Sequence, residues 1–167
     1  VPTITNVHFN LKLTVENTNN AITNAEKDAV GGLIGCASAK VYIEKSGIKN
    51  GNITSTRTRA GGLIGFAQND VSIAESEITD GVVTSESDRA GGLVAHTTGN
   101  TAIDGVYCNT LMVTGKSTTG GFLGFSPNTV VIKNAEVNNC TVLSTHGQAG
   151  GLIALGDNVN ISNVNIK

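Results

Sequence analysis

Two arginines stand thirty residues apart, Arg59 and Arg89, and each opens the same tripeptide Ala-Gly-Gly. Arg57 and Asp88 lie beside them. A guanidinium is a planar fork of donors that fits a carboxylate. Arg57, Arg59 and Arg89 are therefore a candidate binding surface for a carbohydrate acid or another acidic partner. The stretch from Glu16 to Val30 carries Glu16, Glu26, Lys27 and Asp28, the one charged cluster on an irregular segment. Folded over the arginine side, it would add Glu26 and Asp28 to the same surface. The plainer reading is a solvated turn with a local ion pair, which contributes little energy, and the sequence favours it.

Catalytic constellations are harder to assemble. A glycosidase needs two carboxylates flanking a cleft. Glu44, Glu75, Glu77, Asp80, Glu86, Asp88, Asp104 and Glu136 scatter over different positions of the repeat described below. Glu77 and Glu136 share a position, two repeats apart, while Glu75 and Glu77 read as one solvated strand face. The histidines are His8, His96 and His146, and no HExxH occurs. His96 replaces an apolar or aromatic residue of its column, which reads as an internally satisfied imidazole. The calcium-binding nonapeptide is missing, and the Asp157-Asn158 turn is weak support for a metal. Cys36, Cys108 and Cys140 give neither a disulfide framework nor a metal-binding pair. The expectation is no catalytic residue, no cofactor and no metal: a non-enzymatic chain.

Composition narrows the class further. Charged residues make up 14% and the net charge is -2, with no basic patch, so nucleic acid is not an expected partner. No apolar run is long enough for membrane insertion. The start VPTITNVHF lacks a basic and an apolar segment and does not read as a signal peptide. Trp is absent and Phe plus Tyr number six, so Ile, Val, Leu and Ala must fill the core. Such β-branched residues favour strands.

The elements that position these groups follow from a repeat. Gly-Gly followed by Leu or Phe begins at Gly31, Gly61, Gly91, Gly120 and Gly150, at spacings of 30, 30, 29 and 30. Repeats of this length mark solenoids. Aligned on the glycines, Leu33, Leu63, Leu93, Phe122 and Leu152 form a column, and Ile34, Ile64, Val94, Leu123 and Ile153 the next. Further columns run through Val41, Ile43, Ile48 and Ile53, the last repeat needing a one-residue deletion near Gly156. Val41-x-Ile43 alternates with strand period. The fold predicted is all-β: a parallel β-helix, or β-solenoid, of about five coils with three short strands each. Turns such as Asn69-Asp70 and Gly99-Asn100 suit left-handed backbone. Residues 1–30 read as a partial coil and a long loop, and 31–167 as five repeats, the last truncated, forming one domain overall. Open solenoid ends expose strand edges, so flanking domains of a larger chain, or covers over both ends, are expected.

Two columns test that picture. Leu33 and Ile34 are adjacent, and adjacent strand residues face opposite sides. Either one column forms an exposed apolar stripe, or the glycines bend the chain so that both turn inward. The corner is the preferred reading. Thr54, Thr84 and Thr114 should face out, but Leu143 breaks the column and no ice-binding Thr-x-Thr repeat exists.

The block GGLIGFAQNDVSIAESEITDGVVTS resembles the GLUG motif, a glycine-rich repeat of secreted bacterial proteins. GGLIG, Ile43-x-x-Ser46, Ile73-x-x-Ser76 and Gly51-x-Ile53 carry the likeness, while Ala95 and Ala154 depart from it at the fifth glycine. It covers nearly the whole chain from Gly31 onward. The family occurs in adhesin-like surface proteins and in IgA-cleaving metallopeptidases. The resemblance implies a bacterial, secreted or cell-surface protein and transfers no catalytic residue. The function expected is a non-catalytic stalk, spacer or adhesive surface, with a host or cell-surface glycan or protein as partner. The alternatives are a carbohydrate-active lyase or glycosidase on the same scaffold, or an accessory segment of a secreted peptidase.

Overall fold

The computed structural model describes residues 3–9, 13–17 and 28–167. Every regular element among them is a β-strand. Strands pair in parallel with their equivalents one coil away: Ile4 with Ile43, Ile43 with Ile73, Ile73 with Ile103, Ile103 with Ile132, and Ile132 with Ile161. The chain is a β-solenoid of stacked coils. The opening stretch forms the partial coil read from its sequence, since Phe9 registers on Ile48 and Val15 on Ile53. The deletion near Gly156 is also present. Gly156 pairs with Ser126 and Val159 with Val130, so three steps on one strand oppose four on the other.

The first three coils from Gly31 are more broken than the three strands expected, while later in the chain Leu123–Asn138 runs unbroken. In the second coil the segments are Arg59–Gly61, Ile64–Ala67, Val71–Ala74 and Glu77–Ser85. The first break is the glycine corner. Leu63 O accepts the N–H groups of both Leu33 and Ile34, and the pattern recurs at Leu93, Phe122 and Leu152. One carbonyl serving two consecutive amides requires a bend between them. The bend turns both columns inward, and Leu63, Ile64, Leu93, Val94, Phe122 and Leu123 are all 0% exposed. No apolar stripe runs outside here. Glycine is needed for proximity at this corner. A Cβ on Gly61 would lie 1.9 Å from its own coil's Ile64 O, and one on Gly62 1.9 Å from Gly92 O of the next coil.

The second break corrects the turn reading. Of the Asn- and Asp-rich turns, only the last has a left-handed residue, Asn158. The repeated left-handed positions lie elsewhere, at Asn6, Lys45, Glu75, Gly105, Asn134 and Asn163, stacked in register one coil above another. A second stack holds Asn50, Asp80, Thr110 and Asn139. Glu75 at φ 45 therefore ends its strand. It does not share a strand with Glu77, which starts the next.

The interior is built of like on like. Ile43, Ile48, Ile53, Ile73, Ile78 and Ile103 are at most 1% exposed. The Ile-x-x-Ser serines are also buried, for a polar reason. Ser76 Oγ donates to Ala74 O at 2.7 Å and accepts from Ser46 N of the preceding coil at 3.2 Å. A backbone donor at the corner is thereby satisfied, as buried amides must be. The threonine column stacks as read, with Thr84 between Thr54 and Thr114 and Leu143 next, but it is half-buried rather than fully outward.

Candidate functional site

A stack of like side chains cannot bring unlike groups together, so a site must lie where the repeat changes. Two columns change together. Ile64–Ala67 and its equivalents put Cys36, Phe66, His96, Phe125 and Leu155 in one register. The short strands before each glycine pair put Ala29, Arg59 and Arg89 in another, with Thr118 following Arg89. Phe66, His96 and Phe125 lie outside the main core cluster. Their rings form a ladder with centroids 4.9 and 5.0 Å apart.

The arginines cover that ladder. Arg59 Cζ lies 4.7 Å from the Phe66 ring centre. Arg89 passes over the coil of His96 and places its Cζ 4.7 Å from the Phe125 ring centre. Guanidinium over an aromatic face is attractive, by about 0.5–2 kcal/mol depending on desolvation. Cys36 and Leu155, where no arginine stands in register, are exposed. Asp88 binds the two cations together. Its Oδ2 is 3.4 Å from Arg59 Nε and 3.7 Å from Arg89 Nη1, and Ser117 Oγ donates to Oδ1 at 3.1 Å.

Arg59 is only 8% exposed, so for it the solvated turn is corrected, the ring ladder drawing the side chain inward, while the local ion pair with Asp88 is present. His96, also 8% exposed, departs from the satisfied imidazole expected of it, because its buried Nδ1 has no hydrogen-bond partner. Burial, and then the charges of Arg59 and Arg89, hold its pKa down at about 3, so the ring is neutral. Beside it opens a cleft of about 320 Å³ lined by Arg59, Phe66, Gln68, His96 and Thr98.

The other candidates fall apart in space. Arg57 is exposed and lines no part of the cleft. Asp28 is half-buried beside Ala29, the register partner of Arg59. Glu26 lies outside the described residues. Glu77 and Glu136 are separated by Tyr107, which registers on both. Hydrogen bonds from Asn138 and Lys167 lower the Glu136 pKa, so it is held as a carboxylate. Burial raises the thiol pKa of both Cys108 and Cys140, the reverse of what a nucleophile needs. Among the described residues, no group of three or more His, Cys, Asp or Glu is placed to hold a metal.

Sequence reading found the arginines and the aromatic column separately and missed that they form one cluster. The available signal was coincidence. Arg59 precedes Phe66 by as many residues as Arg89 precedes His96, and Phe125 lies in the same column. Comparison of the chain with protein-family models, with curated proteins and with solved structures finds no match.

Proposed function

We propose that this chain is a non-catalytic adhesive module, a rigid solenoid that presents the arginine–aromatic cleft to a partner on a surface. One observation carries the reading. Where unlike side chains converge among the described residues, at Arg59, Asp88, Arg89, Phe66 and His96, they offer charge and shape but no acid–base pair or activated nucleophile. Catalysis needs several groups in distinct roles at one point. The repeat also supports a structural role, since stacked coils extend by addition and hold a surface at fixed height. The resemblance to GLUG repeats agrees with a secreted or cell-surface bacterial setting and with glycans as partners.

The test incubates the whole chain with a panel of acidic and neutral polysaccharides. Retention of polymer without new reducing or unsaturated ends is the expected result. Turnover that disappears on replacing Glu26 and Asp28 would overturn the reading in favour of a lyase or glycosidase.

A further inference from the structure

We infer that the cleft beside His96 takes an uncharged sugar unit and recognises it through its hydroxyl groups. This inference rests on the cleft being the adhesive surface and adds its ligand class.

Charge is the first consideration. Of the five residues that line the cleft, Arg59 alone is charged, and its cation is already engaged. Its Nε lies 3.4 Å from Asp88 Oδ2, its Cζ lies 4.7 Å from the Phe66 ring centre, and it has a further interaction beyond these. An arriving anion would give up its hydration to meet a cation that Asp88 already offsets, which gains little. The imidazole of His96 is neutral and adds no charge of its own. The lining therefore suits a group without charge.

Hydrogen-bonding capacity is the second. Gln68 and Thr98 hold the same position in successive coils, one step beyond the register pair Ala67 and Thr97. Their backbone N–H groups are taken, by Ala37 O at 2.8 Å and Ala67 O at 3.0 Å. Their side chains are not: among the described residues neither the Gln68 amide group nor the Thr98 hydroxyl has a hydrogen-bond partner. Each of these groups both donates and accepts. His96 adds a donor. A neutral imidazole carries a single N–H. On the buried, unpartnered Nδ1 it would be a donor without an acceptor, so the proton is assigned to Nε2, the nitrogen left for the cleft. Donors and acceptors side by side match a sugar hydroxyl, which is both at once. A carboxylate or sulfate only accepts, and would set the Gln68 carbonyl against an oxygen of its own kind. A peptide could not add a strand here, because the backbone beside the cleft is already paired between coils. The volume of about 320 Å³ lies at the small end of the range for ligand sites, which fits one sugar unit rather than a long segment.

Nitrogen-15 NMR of the full chain tests this with the methyl glycosides of glucose, galactose, mannose and N-acetylglucosamine, alongside galactotriose, galacturonic acid and sodium sulfate. At least one neutral sugar should shift the Gln68 side-chain amide, the Thr98 amide and His96 Nε2, with an affinity unchanged from low to high salt. Thr98→Val, at an exposed position, should weaken that binding about fivefold, as loss of one hydrogen bond does. The exposed control Lys133→Ala should change nothing. The salt response of the unaltered protein gives the same answer if Thr98→Val fails to fold. Galacturonic acid binding more tightly than every neutral sugar, with affinity falling as salt rises, would overturn the ligand class while leaving the cleft as the adhesive surface. Sulfate alone reproducing the shifts would overturn it too, in favour of a general anion site. Silence of the cleft signals to every probe, with polymer still retained by the chain, would remove the cleft itself from the adhesive reading. Silence with no polymer retained would overturn the adhesive reading as well.

Discussion

Two ladders climb the same solenoid on opposite terms. The inner one, Ile43, Ile73, Ile103, Ile132 and Ile161, repeats a single residue. The outer one, Cys36, Phe66, His96, Phe125 and Leu155, changes at every level. From Ile43 to Ile132 the inner ladder is closed in by neighbours above and below, so any departure meets a packed wall, while Ile161 in the last coil is 48% exposed. From Phe66 to Phe125 the outer ladder is covered by side chains that reach across it, Arg59 within its own coil and Arg89 into the next, while Cys36 and Leu155 at its ends are exposed. A covering side chain adapts, whereas a backbone wall does not. Variation is therefore tolerated where arginine forms the cover, and the groups able to recognise a partner collect there.

Ile103→Asp places a carboxylate in a site 1% exposed, between Ile73 and Ile132. It should cost more than about 4 kcal/mol and abolish cooperative unfolding by circular dichroism. An unchanged melting midpoint would mean that the inner ladder is not closed.

A backbone version compares two levels of the glycine corner. Gly62→Ala would bring a Cβ to 1.9 Å from Gly92 O and should destabilise by about 2–3 kcal/mol. Gly151, its equivalent in the last coil described, has nothing within 4 Å of the same position. Gly151→Ala should stay within about 0.5 kcal/mol of the parent. Equal losses in the two variants, measured by urea unfolding, would show that conformation and not contact with the next coil fixes this glycine.

The outer ladder answers to pH. His96 has a pKa of about 3 when folded, below the ordinary value of 6.5. Between those values the unfolded chain binds a proton that the folded chain refuses. Stability from this residue is complete above about pH 6.5 and falls as pH drops towards 3, by up to about 1.4 kcal/mol per pH unit. His96→Phe removes that slope, so the difference between parent and variant should widen steadily on acidification. A difference independent of pH would show that the imidazole titrates normally.

The smallest effect returns to the interior. Thr101 takes a valine position between Val71 and Val130, and its buried Oγ1 has no partner. Thr101→Val should stabilise by about 1 kcal/mol, read as a raised melting midpoint. Destabilisation would point to a hidden partner for the hydroxyl.

Much of this was legible before any coordinates. Glycine spacing set the coil length, and Val41-x-Ile43 set the register, because a period of two admits only one inward set. The glycine corner was less legible, since alternation alone cannot tell Leu33 from Ile34. The bend depends on one carbonyl, Leu63 O, accepting two amides. Asparagine favours left-handed backbone, so the sequence points to the asparagine turns. The chain instead places left-handed residues at a stacked corner that also holds Lys45 and Glu75, residues with no such preference, where neighbouring coils impose the geometry. The cluster was least legible of all. Arg89 reaches a ring of the next coil, and a sequence aligned coil by coil pairs it with His96 instead.

The stacking has a mechanical consequence. Each coil holds its neighbours through backbone hydrogen bonds that link residues about 30 positions apart, such as Gly62 N to Gly91 O. A pull on the chain at one end of the rod loads these bonds one after another, as in opening a zipper. Each coil that peels away frees about 30 residues, or about 100 Å of extended chain. Tension is then absorbed as a series of long steps, and the coils farther along, with whatever they hold in the cleft, stay folded until the peeling reaches them.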